Sequence, residues 1–461
     1  MECMKSFKKL FSAVSLTAFI FCIITPAFSI EEKSLKKQKK EEAVLKSKID
    51  YINLEWWQNF NDPVLEDYII KSINYNHNLK IATVSTKEYY EYVKLQFANE
   101  LPTISTGFAP AYVKSLNSTS SGFQFALPIL ANYEIDLFLK NRDKTRSAKK
   151  NYEMSLSDER ASYIAVASAV GSTYLNIINL DKMIEIQEQI TDERKIIFDL
   201  MQKRNRQGIT STADLIRADK SYIISLTELT ELQKERDILL HSFCVLIGES
   251  PENAKNIKRA SFDSINFAGI IPESINSDII ENRPDCVRAL KKVEKAGIDV
   301  RIAKKEFLPS FSIGGLALFN AADLGDIFTT KNMLNAIGGL AGIDIFKGGA
   351  KFANLRLNKN IYERVLEEYL QTNLTAIQEI NDSLVSIKRD KDKLDTVLKQ
   401  EKFEEKDYGF YQKRYENGVV SKLDVAQSKE NLLVVNKLKV KSKTDCLVDY
   451  ISLYKAAGSY L

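Results

Sequence analysis

RNRQGITSTADLIRA, residues 204–218, and RYENGVVSKLDVAQS, residues 414–428, decide the fold. Both read R-x-x-x-G-x-x-S-x-x-D followed by an apolar residue. Arg204, Gly208, Ser211 and Asp214 map onto Arg414, Gly418, Ser421 and Asp424, each pair 210 residues apart. Gly208 and Gly418 can take the left-handed conformation that closes a helix. Ser211 and Ser421 can accept the orphan N–H bonds of the next helix. Asp214 and Asp424 fall three residues later, where a carboxylate completes a capping box and faces the positive end of the helix dipole. Each stretch therefore reads as a tight turn at the end of a helical hairpin, and capping alone accounts for these residue types.

The flanks fit hairpins. From Lys140 to Gln207 there is no proline and one glycine, Gly171, which predicts a helix about 100 Å long at 1.5 Å per residue. A second helix is expected from Ser211 to about Ile247, stopped by Gly248 and Pro251. The same pair recurs from Gly349 to about Asn417 and from Ser421 to about Ala457, with an apolar stripe at Leu374, Ile377, Ile380, Leu384 and Ile387 that predicts packing between helices.

Before each hairpin the period changes. Asp62-Pro63 starts a helix expected to reach Asn99, and Leu101 to about Asp136 then alternates, with Phe123, Phe125, Leu127 and Ile129 on one face. Two strands are expected there, joined near Ser115 to Ser121. Arg283-Pro284-Asp285 opens a helix ending at Leu308, followed by a strand over Phe311 to Phe319 and another over roughly Ala336 to Phe346. The chain is thus read as a duplication of helix, two strands, long helix, turn, helix. The first unit covers 51–250, a connecting segment 251–282, and the second unit 283–461.

The amino terminus has a different character. Residues 1–29 combine Lys5, Lys8 and Lys9, an apolar run over Phe11 to Ile24, and Ala27-Phe28-Ser29, the pattern of a secretory signal. Residues 30–50 form a charged linker. Phe19-Ile20-Phe21 before Cys22 lacks the small residues of a lipidation site, and no other stretch is expected to span a membrane as a helix.

Composition narrows the function. The net charge is +4, from 65 basic and 61 acidic residues, too balanced to indicate nucleic acid. His77 and His241 stand alone and no metal-ligand spacing occurs, so no metal or other cofactor is expected. No nucleophile, base and orienter set or phosphate loop is present, so the chain does not read as an enzyme. Cys244, Cys286 and Cys446 are odd in number and widely spaced, which gives no disulfide framework.

Four short strands cannot close a membrane barrel, and open sheet edges are forbidden in lipid. A secreted chain of this pattern must pool strands between copies.

Trp56-Trp57-Gln58-Asn59-Phe60-Asn61-Asp62-Pro63, Tyr133-Glu134-Ile135-Asp136-Leu137-Phe138, Arg283-Pro284-Asp285, Phe307-Leu308-Pro309-Ser310-Phe311-Ser312 and both turns occur in an order that resembles the TolC family of outer-membrane efflux channels. The likeness is greatest to members that serve tripartite RND-type drug-efflux systems. The resemblance implies a mainly α fold with a small β part. It implies a homotrimer whose twelve-stranded barrel lies in outer-membrane lipid and continues as a helical barrel across the periplasm. It implies partners, a periplasmic adaptor and an inner-membrane pump, and a passive conduit for drugs or other small molecules. It places Asp214, Asp424 and Tyr415 at a periplasmic constriction, with Gly208, Gly418, Ser211 and Ser421 at the adaptor-contacting tip. The gate arginine of the family's best-known member falls at Val420, so that particular clasp is missing. A channel for type I protein secretion is the alternative within this fold, and a periplasmic coiled-coil scaffold the alternative outside it.

Overall fold

The computed structural model describes residues 48–114, 121–272, 277–328 and 333–460. The expected signal segment, most of the charged linker and most of the turn near Ser115 to Ser121 lie outside these residues. Two compact units are distinguished, 1–55 and 56–461. Of the first, residues 48–55 are described and are largely helical. All that follows concerns the second.

Twelve elements position the tips. Helix α1 is Pro63–Tyr75 and α2 is His77–Ala98; strands β1, β2 and β3 are Thr103–Thr106, Ala109–Lys114 and Ser121–Ile135. Helix α3 is Lys140–Arg206 and α4 is Thr212–Leu246. Helix α5 is Pro284–Lys305, strands β4 and β5 are Ser310–Ala321 and Met333–Gly342, and the second hairpin is α6, Ala350–Glu416, with α7, Lys422–Ala456. Helices α3 and α6 have 67 residues each, and α4 and α7 have 35 each.

The strands form one antiparallel sheet in the order β1–β3–β4–β5, with β2 also on β3. The first of the two expected strands, the one before residue 115, is in two pieces, but they share one register: Thr106 faces Ile129 and Ala109 faces Ala126. The break lies opposite Pro128, which has no N–H to give the ladder. Its carbonyl still accepts from Gly107 N at 3.3 Å. The last strand runs Met333–Gly342 rather than Ala336 to Phe346, so Asp344 lies beyond it. Both outer edges, β1/β2 and β5, pair with nothing among the described residues, and Ile104, Tyr112, Phe123, Leu334 and Ile337 are exposed.

The helix expected from residue 62 to 99 is two helices. Asp62 caps α1, accepting from Val64 N at 2.9 Å, and Tyr174 Oη donates to its other oxygen at 2.8 Å. The chain then breaks at Asn76, whose Oδ1 accepts from Leu79 N at 3.1 Å and whose Nδ2 donates to Leu246 O, the last carbonyl of α4, at 2.8 Å. Arg283 takes the same part in the second half. It is the N-cap of α5, and its Nη1 donates to Ala456 O, the last carbonyl of α7, at 2.5 Å. The guanidinium also binds Asp285 Oδ2 and Glu379 Oε2, each at 2.7 Å. Each of these two buried N-caps thus satisfies a carbonyl that a helix end leaves open. Gly248 and Gly458, with φ of +76° and +63°, turn the chain just beyond.

Trp56 and Trp57 root this middle region. Trp56 stacks on Tyr454 with ring centroids 4.5 Å apart, and Trp57 meets the same ring edge-on at 5.0 Å. Gly171 makes room for the second indole, since a Cβ there would lie 2.5 Å from Trp57 Cζ3. The residues around it on α3, including Ile164, Val170, Tyr174 and Ile178, are buried. Contrary to expectation, α3 does hold an 18-residue window apolar enough for a membrane span by composition, and 56% of that window is buried inside the fold. Cys244, Cys286 and Cys446 are buried free thiols.

Within the chain the long helices lie in a row, α4–α3–α7–α6, because α3 packs on α4 and α7, and α6 packs on α7. The α6 stripe behaves differently from the packing expected of it. Ile380 and Ile387 are buried, but Leu374 is 62% and Ile377 41% exposed, and Leu384 is half-buried.

Candidate constriction at the hairpin tips

Both turns close in the same way. Gly208 N donates to Asn205 O and Ile209 N to Arg204 O, each at 2.9 Å; Gly418 N donates to Tyr415 O and Val419 N to Arg414 O, also at 2.9 Å. These two bonds define a Schellman ending, which needs a left-handed residue at its second-last position. Gly208 and Gly418 supply it, with φ of +73° and +72°. A Cβ at either would meet nothing within 4 Å, so backbone conformation, not crowding, selects glycine.

The following helices are capped by serine. Ser211 Oγ accepts from Asp214 N at 3.1 Å, and Ser421 Oγ from Asp424 N at 3.4 Å. At the second tip the box is complete, because Ser421 N donates to Asp424 Oδ2 at 2.8 Å. At the first, Asp214 accepts from Ser211 Oγ at 2.7 Å, as Asp424 does from Ser421 Oγ, and pairs with Arg217 at 3.0 Å in place of the backbone bond. The hydrogen bonds from Ser421, with a smaller pull from Arg204 of the other turn, hold the Asp424 carboxyl below its ordinary range. It is therefore an anion at neutral pH.

The remaining tip residues divide. Tyr415 lends its carbonyl to the turn while its ring stays 44% exposed. Asparagine stands at the matching place in the first turn, and Asn205 Nδ2 donates to Thr210 O at 2.8 Å. Asp214 and Asp424 share no hydrogen bond with each other or with Tyr415 among the described residues. Ile197 on α3, Ala218 on α4 and Ala426 on α7 form a small buried cluster just above the turns, flanked by Met201 and Leu423.

Four residues that the sequence reading passed over tie the two hairpins together above that cluster. Arg194 Nε binds Glu430 Oε1 at 2.8 Å, and Lys429 pairs with Glu193. Further up the same seam Lys437 Nζ donates to Gln187 Oε1 at 2.8 Å and Thr444 Oγ1 to Asn179 Oδ1 at 3.2 Å. In a chain with 27% charged residues, a Glu-Arg or Lys-Glu doublet carries no signal of its own. Among the described residues no group of three or more His, Cys, Asp or Glu could hold a metal ion.

A sheet open at both edges, carried on two hairpins of equal length that end in matched, capped turns, is the fold of the TolC-like outer-membrane channels. The chain belongs to the outer membrane efflux protein family, whose model matches residues 69–248 and 275–459. It is 24% identical over 459 residues to the antibiotic efflux pump outer membrane protein ArpC of Pseudomonas putida, covering 97% of this chain and 94% of that one. It is 22% identical over 418 residues to the cation efflux system protein CusC of Escherichia coli strain K12, covering 89% of each. The crystal structure of the CmeC outer membrane channel of Campylobacter jejuni superposes with a TM-score of 0.80 at 23% identity, covering 88% of each chain. The protein is thus an outer-membrane efflux protein that reaches into the periplasm, in a family of channels and not of enzymes. The scaffold alternative falls with that membership.

Proposed function

We propose that three copies of this chain close a twelve-stranded barrel in outer-membrane lipid and continue it as a hollow column of helices, a passive conduit for small molecules. The observation that carries this reading is the open sheet. Its two bare edges would each expose unpaired backbone groups in lipid, and pairing β1/β2 of one copy with β5 of the next removes both. The helices support it. Ile209, Ile216 and Ile223 recur every seven residues through the first tip and α4, all exposed, as coiled-coil seams do before they meet a partner. Helices α4 and α6 are the flanks of the row, the two places where a neighbour would fit.

In such an assembly the tips converge. Asp214 and Asp424 become two rings of carboxylates at the periplasmic constriction, favouring cations. Tyr415 lies at the same level, and Gly208, Gly418, Ser211 and Ser421 face a periplasmic adaptor, through which an inner-membrane pump delivers cargo. ArpC is named for antibiotics and CusC for cations. Drugs or other small molecules are the cargo of this reading. Planar-bilayer recording on purified protein tests it: stable single channels are expected, and absence of conductance from a correctly folded preparation would refute it.

A further inference from the structure

The two hairpins match residue for residue at an offset of 210, from helix starts at Lys140 and Ala350 to helix ends at Leu246 and Ala456. Helix α3 uses one side for α4 and another for α7. Its counterpart α6 packs on its own partner α7, and the side that α3 gives to the other hairpin is bare among the described residues. Likewise α7 packs on α3 by a side that its counterpart α4 leaves bare among the described residues. The exposure pattern records this. Ala426 and Leu433 of α7 are 5% and 6% exposed, whereas their counterparts on α4, Ile216 and Ile223, are 61% and 54% exposed. On the other flank, Ile164 and Leu175 of α3 are 3% and 2% exposed, and their counterparts Leu374 and Val385 on α6 are 62% and 60% exposed.

Carrying the α3–α7 seam over to α6–α4 fixes which residues meet. The pair Arg194–Glu430 becomes Glu404 and Lys220, an ion pair of reversed polarity. The pair Glu193–Lys429 becomes Phe403 and Asp219. Among the described residues neither Glu404 nor Lys220 forms an ion pair, and Phe403 is 69% exposed. We propose that α6 of one copy docks on α4 of a second copy in the register of the internal α3–α7 seam, with Glu404 of one against Lys220 of the other and Phe403 beside Asp219. This rests on the channel reading above and deepens it by naming the subunit seam. A heterologous contact of this kind closes into a ring when the rotation between copies repeats. It also makes the two kinds of seam unequal near the tip. The internal one holds two ion pairs and the one between copies a single pair, so separation at the tip starts between subunits.

Two experiments on the full chain in detergent test this. Asp219→Cys with Phe403→Cys, oxidised, is expected to give covalent multimers on a non-reducing gel, while either single cysteine gives none. Lys220→Glu and Glu404→Lys are each expected to lower the temperature at which the oligomer dissociates, and the double variant to restore most of the loss. Native mass measured on the same samples separates the two layers. An intact oligomer that neither cross-links through these cysteines nor recovers in the double swap overturns the register and leaves the channel reading standing. A chain that is monomeric at every concentration overturns both.

Discussion

Arg283→Ala is expected to cost about 3 kcal/mol of stability. The side chain is 7% exposed and joins three helices: α5 through Asp285, α6 through Glu379, and α7 through the carbonyl of Ala456. Breaking a buried charge pair from one side costs roughly 3–5 kcal/mol. The lower end applies because Asp285 and Glu379 keep 47% and 52% of their side-chain surface and can rehydrate. The Ala456 carbonyl cannot, and losing a charged donor costs it roughly 1.5–3 kcal/mol. Burial pushes the Asp285 carboxyl up, but the Arg283 guanidinium more than offsets this and holds it below its ordinary range. Arg283→Lys should recover less than half, because an ammonium lacks the planar fork. The chain has two tryptophans, Trp56 and Trp57, and both touch Tyr454, two residues before Ala456. Tryptophan fluorescence during guanidinium unfolding in detergent therefore reports on this junction. A three-kcal/mol loss is roughly a hundredfold in the unfolding equilibrium. A change of less than about threefold would refute the view that Arg283 holds the helix ends together.

Other outcomes follow from the same contacts. Gly171→Ala places a methyl against Trp57 and should cost about 1–3 kcal/mol with a shifted tryptophan emission; an unchanged spectrum and stability would contradict the close approach. Gly418→Ala should cost about 1–2 kcal/mol, read as faster hydrogen exchange confined to the second tip, because only the backbone angle is strained. Asp214→Ala with Asp424→Ala should raise single-channel leakage and reduce cation selectivity; unchanged selectivity would leave both residues as caps only. The Asp424 carboxyl has its folded value lowered, so its contribution is present above the ordinary 3.8 and is lost only as pH falls through that lower value. Exchange protection of the second tip should accordingly hold down to about pH 4 in wild type, and loss of it at pH 6 would contradict the cap.

The turns were legible in the sequence because capping is local chemistry. Gly208, Gly418, Ser211 and Ser421 each do what their residue type and spacing dictate, and the hairpin helices end within a residue or two of where glycine and proline place them. The break at Asn76 was not legible as a break, since asparagine without a proline is weak punctuation; only its place opposite Arg283 in the duplicate marks it. The strand pattern gave the faces but not the interruption at Pro128, because one missing donor leaves the alternation intact. The stripe at Leu374 and Ile377 announced an apolar face without saying what covers it, and among the described residues both stay exposed. The ion pairs of Glu193, Arg194, Lys429 and Glu430 join residues 236 apart, a distance that periodicity does not bridge.

The mass of the detergent-solubilised particle bears most directly on whether a sheet with two open edges completes itself with copies. Native mass spectrometry should give three times the chain mass, stable on dilution. A particle of one chain, folded and with its tryptophans buried, would contradict the account.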